Sequence, residues 1–491
     1  MPPATDGPGA ASVRRTRAAA FARGRLAVGL FGGGIRHLRR GIERLDAGDA
    51  EAAEAELNVA VDRLPRDPRA WYARGRARAA RSDLVGAAMD FGRAIALWPE
   101  DALPWLGRAW ARLRLGDAKG AAEDAEQALK IDPTRADGWF NLAQARMRRG
   151  DADGALEAHG RAIDCRPAWA APFLARATVR RLRRDLDGAL ADFSAAIERD
   201  GTLAEAWYGR GGARRVRGDL AGARADFEQA VAVRPTFAAA WCGLGHVRTA
   251  AGDLPGAVEA FTRAIERDPT RADAWYGRGA ARNALDDLDG ALADFDRAMT
   301  VDPGTATEWY ERGYAHAAKG RWRAALTDFG RAADLDPLSP WPLVARGDAK
   351  VALGDVSGAV ADYGVALDLD ATVLEGWVNR AIGRAALGDH AGAATDLDAA
   401  VALDRNNLDL LDARGEARWA AGLHVEALRD WDQVLDRAPG RVETLRRRAA
   451  GRHFVGDLVG ALQDYERFLE LAPSDPDAQA VRERVESLWA S

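Results

Sequence analysis

The hexamer AWYGRG occurs twice, at 206–211 and 274–279, and its Gly-Arg-Gly core is a candidate for phosphate chemistry. Glycines beside a basic residue can cradle a phosphate where a strand passes into a helix. The residues on both sides of each copy favour a helix, and no strand is predicted before either one. We therefore interpret Gly-Arg-Gly as part of a helix, and what the arginine contacts becomes the central question.

Other motifs of catalysis or metal binding are missing from the sequence. It contains no phosphate-binding loop, no HExxH zinc motif and no nucleophile elbow. The seven histidines do not have the close spacing typical of metal ligands. We therefore predict that the protein is not an enzyme and carries neither a cofactor nor a metal.

Composition indicates a helical protein without a membrane span. The 491 residues have a net charge of −5, and the basic residues of 1–33 leave the remainder more acidic still, which argues against nonspecific nucleic-acid binding. No apolar run approaches the roughly 18 residues of a membrane span. With only Cys165 and Cys242, no disulfide framework is possible, so we expect a reducing, cytoplasmic location. Residues 1–33 read as a flexible tail, with an organelle transit peptide as the alternative.

A period of 34 residues runs through the chain. Thirteen repeats, which begin at residue 34 and at every 34th residue thereafter, fill residues 34–475 without an insertion or deletion. Within a repeat, position 4 is Trp in eight copies, position 8 is Gly or Ala in all thirteen, and position 20 is always Ala. Position 24 is usually aromatic, and position 32 is Pro in ten copies. Such a period predicts one repeated helical unit.

Each repeat has signals for two helices. Position 15 is Gly in ten copies, which favours a left-handed end to the first helix. Position 16 is Asp in eleven copies and can cap the second helix, which proline at 32 then ends. Small residues at 8 and 20 would let the two helices approach, with Trp at 4 and the aromatic residue at 24 filling the space around them. Residues 476–491 read as a capping helix, with Asp475 as its cap and Pro476 in its first turn.

This pattern resembles the tetratricopeptide repeat family, which has Trp at 4, a small residue at 8, Ala at 20, an aromatic residue at 24, Ala at 27 and Pro at 32. The resemblance implies an all-α fold, a right-handed superhelical solenoid of thirteen helix-turn-helix units with the C-terminal capping helix. It also implies that the first helices line a concave groove.

The sequence departs from that family at position 7, which is Arg in eleven repeats. Position 23 is Asp or Glu in eleven repeats, and the two exceptions, Ala158 and Ala260, fall in the repeats whose position 7 is Leu142 or Leu244. Positions that vary together suggest contact. We therefore predict a structural salt-bridge ladder, which includes Arg74 with Asp90, Arg210 with Asp226, Arg278 with Asp294, and Arg312 with Asp328. The basic row at position 11 could share the acid at 23, reach the Asp at 16, or bind a ligand.

The resemblance also names the residues of the groove, at positions 2, 5, 9, 12 and 13. On that basis the candidates for binding a peptide or protein are Tyr72, Trp110, Phe140, Tyr208, His246, Tyr276, Tyr310, Tyr314 and Trp341. The alternative is that these rings pack against neighbouring helices. Acids at position 2, such as Asp137 and Glu205, would favour basic or mixed partners.

We therefore expect a protein–protein interaction scaffold whose partners are proteins or peptides of unknown identity. One alternative is a regulatory subunit that controls an enzyme in trans, and another is an RNA-binding helical-repeat protein that uses its arginines. The oligomeric state does not follow from the sequence.

Overall fold

The computed structural model describes residues 32–489, and all of the regular structure there is helical. Twenty-seven helices follow one another without a strand among the described residues. None of these helices is long and apolar enough to cross a membrane. The all-α architecture expected from the repeats is therefore confirmed.

The chain divides into two compact units, an N-terminal unit of Met1–Gly243 and a C-terminal unit of Leu244–Ser491. The helices up to the division are α1 Gly32–Asp46, α2 Ala50–Arg63, α3 Pro68–Ala80, α4 Leu84–Leu97, α5 Ala102–Leu115, α6 Ala118–Ile131, α7 Ala136–Arg148, α8 Ala152–Cys165, α9 Ala170–Leu182, α10 Leu186–Arg199, α11 Ala204–Arg217, α12 Leu220–Val233 and α13 Ala238–Ala250, within which the division falls. The C-terminal unit continues with α14 Leu254–Arg267, α15 Ala272–Ala284, α16 Leu288–Val301, α17 Ala306–Ala318, α18 Trp322–Leu335, α19 Trp341–Ala352, α20 Val356–Leu369, α21 Leu374–Ala386, α22 His390–Leu403, α23 Leu408–Ala420, α24 His424–Arg437, α25 Val442–Phe454, α26 Leu458–Leu471 and α27 Ala478–Trp489.

The turn inside each repeat is built from positions 15 and 16. Position 15 has a positive φ in all thirteen repeats, from 62° at Arg184 to 90° at Gly116. Each of the eleven aspartates at position 16 accepts a hydrogen bond from the backbone N–H three residues later, as Asp83 does from Gly86 at 2.9 Å. The left-handed residue reverses the chain, and the aspartate satisfies one of the first free amides of the next helix.

Contacts across each turn fix an antiparallel helix pair. Arg108 at position 7 meets Asp124 at position 23, while Arg112 at position 11 donates to the carbonyl of Gly120 at position 19, at 3.0 Å. The position numbers of each contacting pair, 7 with 23 and 11 with 19, add up to 30. A constant sum is expected when two helices run antiparallel, because moving forward along one helix means moving back along the other. The second helix of one repeat then packs on the first helix of the next within each unit.

Position 24 holds a buried phenylalanine in six repeats, and three of these rings lie between two glycines. In the C-terminal unit, a Cβ added to Gly245 of the same repeat would come within 2.7 Å of the Phe261 ring, and one added to Gly277 of the next repeat within 2.5 Å. Phe91 lies in the same way between Gly75 and Gly107 in the N-terminal unit. The ring therefore packs directly on the backbone of both glycines, where a side chain would have no room. Because the two glycines belong to successive repeats, the ring holds those repeats together.

The tryptophans at position 4 lie at the edge of the core and not in its centre. Trp275 is half-buried, and its indole N–H donates to the carbonyl of Pro269 at 2.9 Å. Indole groups at the equivalent position make the same bond, for example Trp71 to Pro65 and Trp309 to Pro303. The expectation that Trp275 fills the helix-pair core is therefore corrected, because its N–H must reach the loop that joins two repeats.

The two ends of the repeat array differ slightly from the expected bounds. The first helix begins at Gly32, two residues before the predicted start at 34. At the other end, Asp475 accepts a hydrogen bond from the backbone N–H of Asp477, and α27 begins only at Ala478, so Pro476 lies in the preceding turn. The predicted tail of residues 1–33 lies outside the described residues except for its last two.

Candidate binding surface

The position-7 arginines and position-23 acids are brought together in ten repeats. Arg210 and Asp226 form a bidentate ion pair, with Nη2 of the arginine 2.7 Å from Oδ1 and Nε 3.0 Å from Oδ2. The Asp226 side chain is 2% exposed and that of Arg210 is 14% exposed. Nitrogen and oxygen atoms also lie 2.6 or 2.7 Å apart in Arg74–Asp90, Arg108–Asp124, Arg176–Asp192, Arg278–Asp294, Arg312–Asp328, Arg346–Asp362, Arg380–Asp396, Arg414–Asp430 and Arg448–Asp464.

Most of these arginines have a further partner besides the aspartate, as Arg278 shows. The Arg278 guanidinium lies 4.9 Å from the centre of the Trp275 ring, and its Nη1 donates to Thr262 of the preceding repeat at 3.1 Å. Stacking on the indole and hydrogen bonding at the fork use the two properties that distinguish arginine from lysine. The arginine row therefore links helices and repeats.

The three repeats without an arginine–aspartate pair show what replaces it. Leu142 and Ala158 are both fully buried within one apolar cluster. Leu244 and Ala260 are likewise buried in the C-terminal unit. In the first repeat, Glu56 pairs with the Nδ1 atom of His37 at 2.6 Å instead of with the position-7 arginine.

The position-11 row shares the buried acid. Arg282 Nη1 lies 2.7 Å from Asp294 Oδ2, and its Nε lies 3.6 Å from the capping aspartate Asp287. His316, the one histidine in this row, lies 3.8 Å from Asp328. Each buried aspartate at position 23 is therefore shared by two basic side chains. In seven of the repeats that have such an aspartate, the position-11 arginine also lies within 4.0 Å of the capping aspartate at position 16.

The candidate groove residues of the N-terminal unit are mostly half-buried. The rings of Tyr72 and Tyr208 lie 5.7 and 5.8 Å from the position-24 rings of their own repeats, Phe91 and Phe227. Trp110 is half-buried, with the Arg114 guanidinium 5.7 Å from its ring centre.

Phe140, by contrast, is only 8% exposed and packs against His159 and Trp169. It lies in the core, as Leu38 and Leu106 at the same position of two other repeats also do.

The C-terminal unit exposes more aromatic surface. Tyr314 is 45% exposed and Trp341 is 47% exposed. Tyr310 meets Tyr314 edge-on with ring centres 4.8 Å apart, and the two hydroxyl oxygens are 3.2 Å apart. Tyr276 and His246 are half-buried against the rings of Phe295 and Phe261. Each of these tyrosine rings packs against a position-24 phenylalanine of the core and is also partly exposed.

The acids at position 2 mostly have arginine partners within their own unit. Asp137 lies 2.5 Å from Arg135, and Glu205 lies 2.8 Å from Arg234. The pairs Asp273 with Arg271, Asp409 with Arg441, and Glu443 with Arg446 lie at 2.5, 2.7 and 2.8 Å. This edge therefore presents paired charges and not a continuous acidic surface.

Glu311 is a residue of this surface that the sequence argument missed. It occupies position 6, where the other repeats have Gly, Ala, Asn or Arg. Burial raises the pKa of its carboxyl, and no basic neighbour opposes that change. A carboxylate at a position usually held by a small residue was the signal that could have identified it.

Comparison with known proteins supports the family assignment. A family model described as Tetratricopeptide repeat matches residues 38–102, 106–172, 174–239, 242–306 and 284–340, which together make up more than half of the chain. The fold is that of an α-helical repeat protein, and the chain belongs to the tetratricopeptide repeat family. Comparison with curated protein sequences found no significant match.

Several solved structures are similar to parts of this chain. YrrB, described as a TPR protein with an unusual peptide-binding site, is 28% identical and covers 37% of this chain and 94% of that one, with a TM-score of 0.34. A tetratricopeptide repeat protein from Parabacteroides merdae is 20% identical, covers 48% of this chain and 93% of its own, and has a TM-score of 0.38. The Cut9–Hcn1 hetero-tetramer of the APC/C is 14% identical, covers 91% and 96%, and has a TM-score of 0.37.

Proposed function

We propose that this chain is a non-catalytic interaction scaffold that binds peptide segments or partner proteins on the aromatic face of its first helices. The observation that carries the proposal is the set of partly exposed rings at positions 2, 5 and 9 of the C-terminal unit, above all Tyr310, Tyr314 and Trp341. Large amphipathic rings that are held rigidly at a surface are typical anchors of protein interfaces.

The arginine row supports this proposal over RNA binding. A nucleic-acid surface needs cations that are free to meet phosphates. The arginines at position 7 are instead mostly buried, and each of the ten paired with an aspartate is held by two hydrogen bonds to its carboxylate, as Arg278 is to Asp294 at 2.8 and 2.7 Å. Control of an enzyme in trans remains the second candidate, since it would use the same protein-binding face. We also propose a reducing, cytoplasmic location, because two cysteines in 491 residues cannot form a disulfide framework.

The test is the binding of an identified partner by variants of the full chain. Partners captured by the immobilised wild-type protein are identified, and the affinity of each purified partner is measured by calorimetry. We expect Tyr276→Ala with Tyr310→Ala to weaken binding at least about tenfold, since interface anchors commonly contribute 2 kcal/mol or more. Val365→Ala is the matched control, because Val365 is exposed on the second helix α20 of the same unit. Equal affinity for wild type and the tyrosine variant would show that this face is not the binding site.

A further inference from the structure

Glu311 is the only acid at position 6 among the thirteen repeats. It lies on the first helix α17, is half-buried, and carries a carboxyl whose raised pKa is caused by burial alone. The buried aspartates at position 23 differ, because each paired Asp has basic groups at hydrogen-bond distance, as Asp294 has Arg278 and Arg282. A desolvated carboxylate without a cation is an unfavourable arrangement that a cationic ligand would relieve.

Three tyrosines lie near Glu311, two on the same helix and one on the preceding first helix. Tyr310 precedes it in α17, Tyr314 lies one turn further on, and their rings meet edge-on at 4.8 Å. Tyr276 belongs to the preceding first helix, α15, and the Glu311 charge is among the causes that raise the pKa of both the Tyr276 and Tyr310 hydroxyls, after burial. The face of a tyrosine ring attracts a cation through the ring quadrupole, and the hydroxyl oxygen can accept a hydrogen bond from it.

The neighbouring first helices add negative charge and no positive charge on the same positions. In repeats eight to eleven, positions 2, 5, 6, 9, 12 and 13 contain four acids but neither Lys nor Arg. Asp273 is paired with Arg271 at 2.5 Å, so the charge comes from Glu311, Asp348 and Glu375. Asp348 is exposed and accepts hydrogen bonds from Tyr363 at 2.6 Å and Asn379 at 2.9 Å. Charge complementarity on this part of the C-terminal unit therefore favours a basic occupant.

We propose that Glu311, together with Tyr276, Tyr310 and Tyr314, binds the ammonium or guanidinium group of a lysine or arginine side chain in an extended partner peptide. This inference rests on the proposed scaffold function and specifies the chemistry of its partner. The carboxylate supplies the charge pair, and the three rings exclude water and surround the aliphatic stem of the bound side chain.

Fluorescence anisotropy with the full chain tests this site. The probes are fluorescein-labelled octapeptides in which lysine or arginine alternates with alanine, and a matched peptide with glutamine in place of the basic residue. We expect the wild type to bind the basic peptides at least about tenfold more tightly than the glutamine peptide, and Glu311→Gln to remove most of that preference. Asp334→Asn on the second helix α18 removes the same charge from an exposed site and should leave the preference unchanged.

The repeated hexamer provides an internal control. Tyr208 occupies the position equivalent to Tyr276, but position 6 of the following repeat is Gly243 and not a carboxylate. Tyr276→Ala should therefore reduce affinity for the basic peptides, while Tyr208→Ala should not.

Folding of Glu311→Gln is checked by its thermal midpoint at neutral pH. The raised pKa means that the ionised carboxylate destabilises the fold above that pKa, so the neutral variant should melt at or above the wild-type temperature. Glu311→Asp, which retains the charge, should keep the preference for basic peptides at lower affinity.

Two results would overturn this inference. One is equal binding of basic and glutamine peptides by the wild type, and the other is a wild-type preference in Glu311→Gln. If Glu311→Gln binds normally while Tyr276→Ala with Tyr310→Ala has lost its identified partner, only the cation site is wrong. If neither variant affects any binding, the aromatic face is also wrong as the interaction surface.

Discussion

At position 7 one arginine side chain meets an acid, an indole ring and, in several repeats, the preceding repeat. Arg312 shows all three contacts, with Asp328 at 2.6 Å, the Trp309 ring at 4.7 Å and Asp296 at 2.8 Å. The sequence made the acid predictable, since Leu142 with Ala158 and Leu244 with Ala260 replace both partners together. It did not make the indole contact predictable, because tryptophan occurs at position 4 in eight repeats, including the two whose position 7 is Leu, and so does not vary with the arginine.

Two aspartates on α16 allow the contribution of the buried ion pair to the free energy of unfolding to be measured. Asp294 is 3% exposed and serves Arg278 and Arg282, while Asp296 is 65% exposed and contacts Arg312. We expect Asp294→Asn to lower the free energy of unfolding by about 3 kcal/mol, because it leaves two mostly buried cations without a charge partner. Asp296→Asn should cost about 0–1 kcal/mol. Urea denaturation followed by circular dichroism compares the two, and equal losses would contradict this account of the ladder.

The aromatic face was less predictable than the ladder. Position 5 identified Tyr276 and Tyr310 as surface candidates through the family resemblance, but it also selected Phe140, which the structure places in the core. The reason is that position 5 is not at the surface in every repeat, since Leu38 and Leu106 at the same position are also buried. Glu311 was overlooked because position 6 is not among the groove positions that the resemblance names, whereas it faces the preceding repeat, as Gly277 faces the Phe261 ring.

At the scale of the helix, the turn between the two helices of a repeat is the most uniform element. Position 15 adopts a left-handed conformation in every repeat, including Ser82, Arg184 and Asp286, which are not glycine. Glycine in the other ten repeats indicated this conformation from the sequence. The backbone geometry is therefore imposed by the helix pair and is retained even where the residue type opposes it.

Replacing these three residues by glycine should stabilise the chain. A left-handed conformation costs a residue with a side chain about 1–2 kcal/mol, and the greater entropy lost by glycine offsets part of this gain. We expect Ser82→Gly, Arg184→Gly and Asp286→Gly each to add about 0.5–1 kcal/mol to the free energy of unfolding. Leu285→Gly is the control, because φ there is −94°. Chemical denaturation measures the series, and destabilisation by all three would contradict the proposed strain.

At the scale of the whole chain, the 34-residue period accounts for most of what the sequence could predict. Thirteen copies reveal which positions are constant, and constancy marks turns, caps and core contacts. Helix ends were predicted to within a few residues for the same reason. Features that occur once, such as Glu311 or the delayed start of α27 after Pro476, cannot be recognised by comparing repeats. They are seen only in the structure.

The C-terminal helix α27 should be required for the stability of the last repeat. Its Ala478 and Val481 are buried in one cluster with Tyr465 and Phe468 of α26. Truncation after Asp475 exposes those two rings, so we expect a lower thermal midpoint and association at micromolar concentration. Light scattering and thermal denaturation test this, with truncation after Trp489 as the control. If the chain truncated after Asp475 melts at the wild-type temperature and does not associate, α27 is not required for stability.

The phenylalanine at position 24 has a consequence for dividing or recombining this protein. Phe261 is covered on one side by Gly245 of its own repeat and on the other by Gly277 of the next, so the 34-residue copy seen in the sequence is not an independent building block. A graft or an excised fragment that ends at residue 271 cuts through a core contact. A fragment that instead ends after α15 carries Phe261 together with both glycines, so segments that end after a first helix are the better units to exchange.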